Sequence, residues 1–135
     1  MMVMDTDVCI ELLRGNKRVI EHRRKVADEV VISFMTVGEL IYGAERSSRP
    51  EHNCDLVERF LLTTTCLQSD RALMEKFGVL KAELVGRGET LPDADILVAA
   101  AALSRGASLV SGNKAHFARF PGLKVVDWTR GVSDK

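Results

Sequence analysis

No stretch of this chain approaches the roughly 18–20 apolar residues that a membrane span requires. The N-terminus also lacks a basic segment followed by a long apolar one, so neither a membrane anchor nor a secretory leader is expected. Cysteine is scarce: Cys9, Cys54 and Cys66 are odd in number and show no CxxC spacing. That pattern excludes a disulfide framework and points to reduced thiols in a cytoplasmic protein. An excess of one charge is missing too. Nineteen Lys and Arg balance nineteen Asp and Glu, which argues against a general nucleic-acid coat but permits a local basic patch. GxxxxGK[ST], GxGxxG and GxSxG are all absent, and three large enzyme classes go with them. His22, His52 and His116 are widely scattered, so no zinc cluster is suggested. His116 draws notice only because it follows a strand.

What is present is an ordinary globular composition, 46% apolar and 28% charged over 135 residues, enough for one domain with its own core. Apolar patterning alternates short strands with helices. Strands are expected at Val3–Asp5, Val30–Ser33, Thr64–Leu67, Ser108–Ser111 and Leu123–Asp127. Helices are expected at Asp7–Leu13, from an Asn16 cap to about Asp28, at Thr36–Arg46 and at Glu51–Leu62. Further helices run from a Ser69 cap to the Gly86/Gly88 pair, over Asp93–Arg105, and briefly over Lys114–Phe117. Strands separated by helices predict an α/β fold: a central parallel sheet of about five strands, flanked by helices on both faces. A single domain spans 1–130. Residues 131–135 form a polar C-terminal tail, and fraying is expected from about Thr129.

In such sheets the ligand site lies beyond the carboxyl ends of the strands. The opening MMVMDTDVCIELL puts an apolar strand directly before Asp5 and Asp7. Two carboxylates there are costly unless a cation lies between them, and hard oxygen ligands select Mg²⁺ or Mn²⁺. Asp5 reads as functional, because Asp7 is the better cap for the helix that follows. Glu39 has a competing reading, since Thr36-Val-Gly-Glu39 fits a capping box in which Glu39 bonds the Thr36 amide. Asp93 and Asp95, in a helix's first turn, are equally open to a capping role.

Arg14–Lys25, RGNKRVIEHRRK, holds six basic residues against Glu21 alone. Such a run is either a solvated helix face or, beside an acidic centre, a holder of phosphates.

Four segments then carry a resemblance. MDTDVCIELLRG, VISFMTVGELIYGAERS, LPDADILVAAAALSRGASLVSGN and HFARFPGLKVVDW, in that order, resemble the segments of a PIN-domain ribonuclease, and more closely those of the VapC toxins of type II toxin–antitoxin systems. The resemblance implies a PIN-like fold and a metal-dependent endoribonuclease that cleaves structured RNA, such as a tRNA, with water activated on Mg²⁺ or Mn²⁺. It implies Asp5, Glu39 and Asp95 as the catalytic acids and metal ligands. Asp95 fits, not Asp93, because it directly precedes Ile-Leu-Val-Ala-Ala.

Thr6, Asp7, Asp93, Ser111, Asn113 and His116 become candidates for a fourth ligand or for residues that orient the ligands. At the fourth position many relatives have Thr-x-Asp or Thr-x-Asn and then an acid before Phe, where this chain has Ser111, Asn113 and His116. Arg14, Lys17, Arg23 and Arg24 become candidate RNA contacts. The resemblance further implies a homodimer, a cognate VapB-type antitoxin and no membrane partner. Two rivals stand beside it. One is a PIN-type RNA-processing nuclease without an antitoxin. The other is a receiver-like Mg²⁺-binding signalling domain, which lacks here the Asp ending strand three and the Lys ending strand five.

Overall fold

The computed structural model describes residues 1–130; the polar tail assigned to 131–135 lies outside them. Five strands, β1 (Met2–Met4), β2 (Val30–Ser33), β3 (Thr65–Leu67), β4 (Ser108–Val110) and β5 (Val125–Val126), form one sheet in the order β3-β2-β1-β4-β5. Every pairing is parallel. That order is not the 2-1-3-4-5 of receiver domains, which removes that rival.

The central strands are short and continuously buried, as a sheet covered on both faces demands. Val3, Val31 and Leu109 face a core built with α5 (Arg71–Gly86), α6 (Asp93–Ser104) and Phe117 of α7 (Lys114–Phe117). Met4, Ile32 and Val110 face the other core, closed by α1 (Thr6–Leu13), α2 (Lys17–Lys25), α3 (Phe34–Glu45) and α4 (Pro50–Thr63). Ala99, Ala100, Ala101 and Ala102 are fully buried. Their small side chains let α6 lie close to the sheet, so a larger residue there would overpack it by about 1–3 kcal/mol.

The route into β4 explains how Asp95 reaches the carboxyl edge. β4 runs parallel to β1 and starts opposite Met2, so the helix leading into it ends at the amino edge of the sheet and begins at the carboxyl edge. α5 packs antiparallel on α6, tied by Lys81–Asp93 at 3.0 Å near one end and Arg105–Asp70 at 3.1 Å at the other.

Several boundaries differ from the sequence reading, each for a local reason. Asp70, not Ser69, caps α5 by accepting from the Leu73 amide at 2.8 Å. α2 stops at Lys25, because Val26 turns extended to lead into β2. Nor is Thr129 frayed: its backbone amide donates to Asp127 at 2.8 Å, and the neighbouring Trp128 is buried and stacked on His22.

Candidate active site

β1 and β4 are neighbours in space, yet the chain leaves β1 toward β2 and β3 before returning to β4 on β1's other side. A crevice opens at such a switch point. Asp5 sits at its floor. Its amide donates to the Val110 carbonyl at 2.8 Å, continuing the sheet by one residue. The residue itself is outside β1 and is the N-cap of α1, with extended backbone and Oδ1 accepting from the Thr6 amide at 2.9 Å. This corrects the expectation that Asp7 caps the helix. Asp5 both extends the sheet through its amide and caps α1, because α1 begins one residue earlier than the apolar pattern suggested.

The other Asp5 oxygen, Oδ2, accepts from Ser111 Oγ at 2.9 Å. Ser111 is fully buried beyond β4, and its own oxygen accepts from the Asn113 amide at 3.0 Å. Asn113 thus contributes through its backbone. Asp5 is only 9% exposed. Burial, and next the charge of Asp7, push its carboxyl up to about 6, with a further contribution from Asp95 and only partial relief from the Ser111 and Thr6 bonds. Asp7, on the first turn of α1, accepts from the Gly112 amide at 3.0 Å. Its carboxyl is also raised, by desolvation first and by Asp127 in addition.

Glu39 approaches from α3, and the expected capping box does not form. Ser33 caps that helix, its Oγ accepting from the Thr36 amide, and the helix starts at Phe34, ahead of Thr36. Glu39 is therefore free to reach across to α1, where Oε1 accepts from Thr6 Oγ1 at 2.6 Å. The Thr6 hydroxyl also lies 3.0 Å from that of Thr36. Thr6 has one proton and gives it to the carboxylate, so Thr36 is the donor to Thr6. Neither role of Thr36 was foreseen, although the T-x-x-E spacing had put it in view.

The two acids of α6 part company. Asp95 Oδ2 lies 2.7 Å from His116 Nε2, which belongs to α7 just past β4. Asp93 turns away to pair with Lys81 on the surface and bonds no helix amide as a cap. The structure thus brings Asp5, Thr6, Asp7, Glu39, Asp95, Ser111, Asn113 and His116 to one edge and leaves Asp93 outside. It also adds Asp127, whose side chain is 7% exposed. In a parallel sheet, the acid ending β5 falls near whatever follows β4; that adjacency was the available signal.

The donor set suits a hard divalent cation. Among the described residues, no Lys or Arg is paired with Asp5, Asp7 or Glu39. Nor do three His, Cys, Asp or Glu side chains close into a cage among them. An open carboxylate set of this sort matches Mg²⁺, which keeps several of its waters and takes one or two protein carboxylates. Cys9 lies fully buried among these acids; burial, Asp5 and Asp7 all push its thiol up, so it is no nucleophile.

The basic run is less uniform than its sequence. Arg14 lines a groove of about 330 Å³ together with Glu39, Leu40 and Ile10, and it pairs with Glu11 at 3.5 Å. Arg24 and Lys25 share Glu21. Arg23 is half-buried and its charge is felt at Cys9. Lys17 is exposed.

A family profile described as PIN domain matches residues 2–123. The chain is 34% identical over 128 residues to the tRNA(fMet)-specific endonuclease VapC of Shigella flexneri, covering 94% of this chain and 97% of the relative. It is 35% identical over 127 residues to Ribonuclease VapC2 of Haemophilus influenzae, covering 93% and 96%. Among solved structures, DNA-bound VapBC from Salmonella typhimurium aligns with a TM-score of 0.89 at 34% identity, over 94% of this chain and 97% of that one. VapBC2 from Rickettsia felis, bound to a promoter DNA fragment, aligns with a TM-score of 0.88 at 25% identity, over 95% and 99%.

Proposed function

This chain belongs to the PIN-domain family, among its VapC members, and on that premise we propose that it is an endoribonuclease toxin that hydrolyses RNA phosphodiesters with the help of Mg²⁺ or Mn²⁺. One observation carries the metal-dependent reading: the buried Asp5 carboxylate faces Asp7 and Asp95 with no basic side chain paired to it among the described residues. Such a cluster is stable in its charged form only with a cation. Asp5 and Asp95 would hold the ion, with Glu39 within reach of it or of the attacking water. When bound, the cation makes water more acidic and offsets charge on the phosphodiester.

The remaining work falls to side chains. Ser111 and the Thr6 amide each take one Asp5 oxygen and set the carboxylate's plane. The Thr36–Thr6–Glu39 chain of hydroxyls fixes Glu39, so that its second oxygen is aimed and not free to rotate. Held this way, Glu39 can orient water or accept its proton. Arg14, in the same groove, is placed to meet a phosphate that the acids would repel. No covalent nucleophile is needed.

By analogy with the VapBC complexes and the tRNA-specific relative it resembles, the chain is silenced by a VapB-type antitoxin and its substrate is a structured RNA; the family resemblance adds a homodimer. The test is cleavage of a tRNA panel that includes tRNA(fMet), by wild type and Asp5→Asn, with EDTA and with EDTA followed by Mn²⁺. Cleavage restored by Mn²⁺ in wild type alone supports the proposal. Undiminished cleavage after exhaustive chelation sinks it.

A further inference from the structure

His116 stands where an acid would enlarge the carboxylate cluster, and it does something an acid cannot. A carboxylate only accepts, so the proton between Asp95 Oδ2 and His116 Nε2, 2.7 Å apart, must be carried by the imidazole. An acid there would face Asp95 with like charge instead. Both side chains are partly withdrawn from solvent, at 24% and 29% exposure, which limits the competition of water for this bond. The ring is seated as well. It meets Phe117 edge-on, at 5.6 Å and 87°, and Phe117 is a 1%-exposed member of the core that also holds Ile96, next to Asp95. Histidine and carboxylate are thus anchored to one apolar cluster from two different elements, α7 and α6.

We propose that His116 is not a ligand but the positioning residue for Asp95: its Nε2–H commits Oδ2 and thereby turns Oδ1 toward the cation. The inference rests on the metal-dependent reading above. It extends that reading to a site position where many relatives carry an acid and this chain carries His116. Residues that orient a ligating carboxylate commonly matter tenfold to a hundredfold for metal affinity. A purely structural bond between α6 and α7 would affect stability and leave affinity alone.

The experiment is Mn²⁺ binding to the purified full chain, read from the loss of the free-ion EPR signal, for wild type, Asp5→Asn, His116→Ala and His116→Gln. His116→Ala should bind Mn²⁺ roughly tenfold or more weakly. His116→Gln, whose amide can still donate to Asp95, should recover most of the affinity. Thermal melts of the metal-free proteins run alongside, and the comparison is made between folded variants. Equal affinity in wild type and a folded His116→Ala overturns the positioning role. So does loss in both variants with no rescue by Gln if His116→Gln melts like wild type, because the ring nitrogen would then be a ligand. If wild type binds no Mn²⁺, or Asp5→Asn binds as wild type does, the metal-dependent reading itself fails.

Discussion

Acids and bases are kept in different physical states in this molecule. At the carboxyl ends of β1 and β4, Asp5 is almost wholly desolvated, beside two like charges and without a basic partner among the described residues. Along α2 the situation is reversed: Arg24 and Lys25 keep 75% and 73% of their side chains in water and share a glutamate on the same helix. Exposed pairs of that kind contribute about 0–1 kcal/mol, whereas an unpaired buried carboxylate costs several times as much. A zero net charge conceals this difference. The strained region is the one that reads as catalytic, and the relaxed region reads as adjustable, so substitutions should separate them by size of effect.

The largest effects belong to the acidic edge. Asp5→Asn, Asp95→Asn and Glu39→Gln should each abolish RNA cleavage with an unchanged far-UV CD spectrum. Asp5→Asn should also stabilise the metal-free protein near neutral pH. Its carboxyl is raised from 3.8 to about 6 in the fold, so the folded state binds the extra proton between those values. Stability from this group is full below the lower value and lost as pH rises through the upper one. The loss is about 3 kcal/mol as an order of magnitude, and denaturant melts of the two proteins from pH 4 to 7 should converge at the acid end.

Metal should act on the same region in the opposite direction. Mn²⁺ at a hundred times its Kd should add about 2.7 kcal/mol to stability by mass action. The gain should shrink toward pH 5, where protons compete for Asp5, and vanish in Asp5→Asn. A calorimetric gain that is independent of pH would show that the ion binds elsewhere.

Next in size is the basic helix. Replacing Arg23 and Arg24 with Gln in an Asp5→Asn background should weaken RNA binding severalfold. It should also flatten the plot of log affinity against log salt by roughly one for each lost phosphate contact. In the active protein the same change should raise KM while the cut position stays the same, since phosphate contacts carry no base information. Identical salt slopes would return α2 to the status of a solvated face.

The smallest effect is expected from Asp93→Asn. It removes only an exposed pair with Lys81, so activity should match wild type and stability should shift by no more than about 1 kcal/mol. Asp93 and Asp95 are two residues apart in one helical turn, and this pair of mutants sharpens the contrast most economically. An inactive Asp93→Asn with an active Asp95→Asn would invert the assignment.

Asp5, Glu39 and Asp95 were legible as candidates from their places after apolar strands or at the start of helices. The resemblance chose among them. Their supporting contacts were not legible: Thr36 looked like half of a capping box, Ser69 like the cap of α5, and Asp127 like the end of a strand with no part to play. A pattern along the chain reports which face a residue takes, and says little about partners more than a turn away. Thr6 and Glu39 are 33 residues apart, and Ser111 and Asp5 are 106 apart.

The amino-acid sequence by itself determined the alternation of short apolar strands with helices, hence an all-parallel sheet covered on both faces, because burial and backbone hydrogen bonding leave no other use for such segments. It determined equally that the first and last strands run into acids, Asp5 and Asp127. Only the tertiary structure decided which acids meet. The packing of α5 on α6 pairs Asp93 with Lys81 while Asp95 meets His116, and the start of α3 at Phe34 frees Glu39 to cross to Thr6. Those outcomes depend on packing and register between distant segments, where the controlling free energies come from burial and from long-range hydrogen bonds that no local spacing encodes.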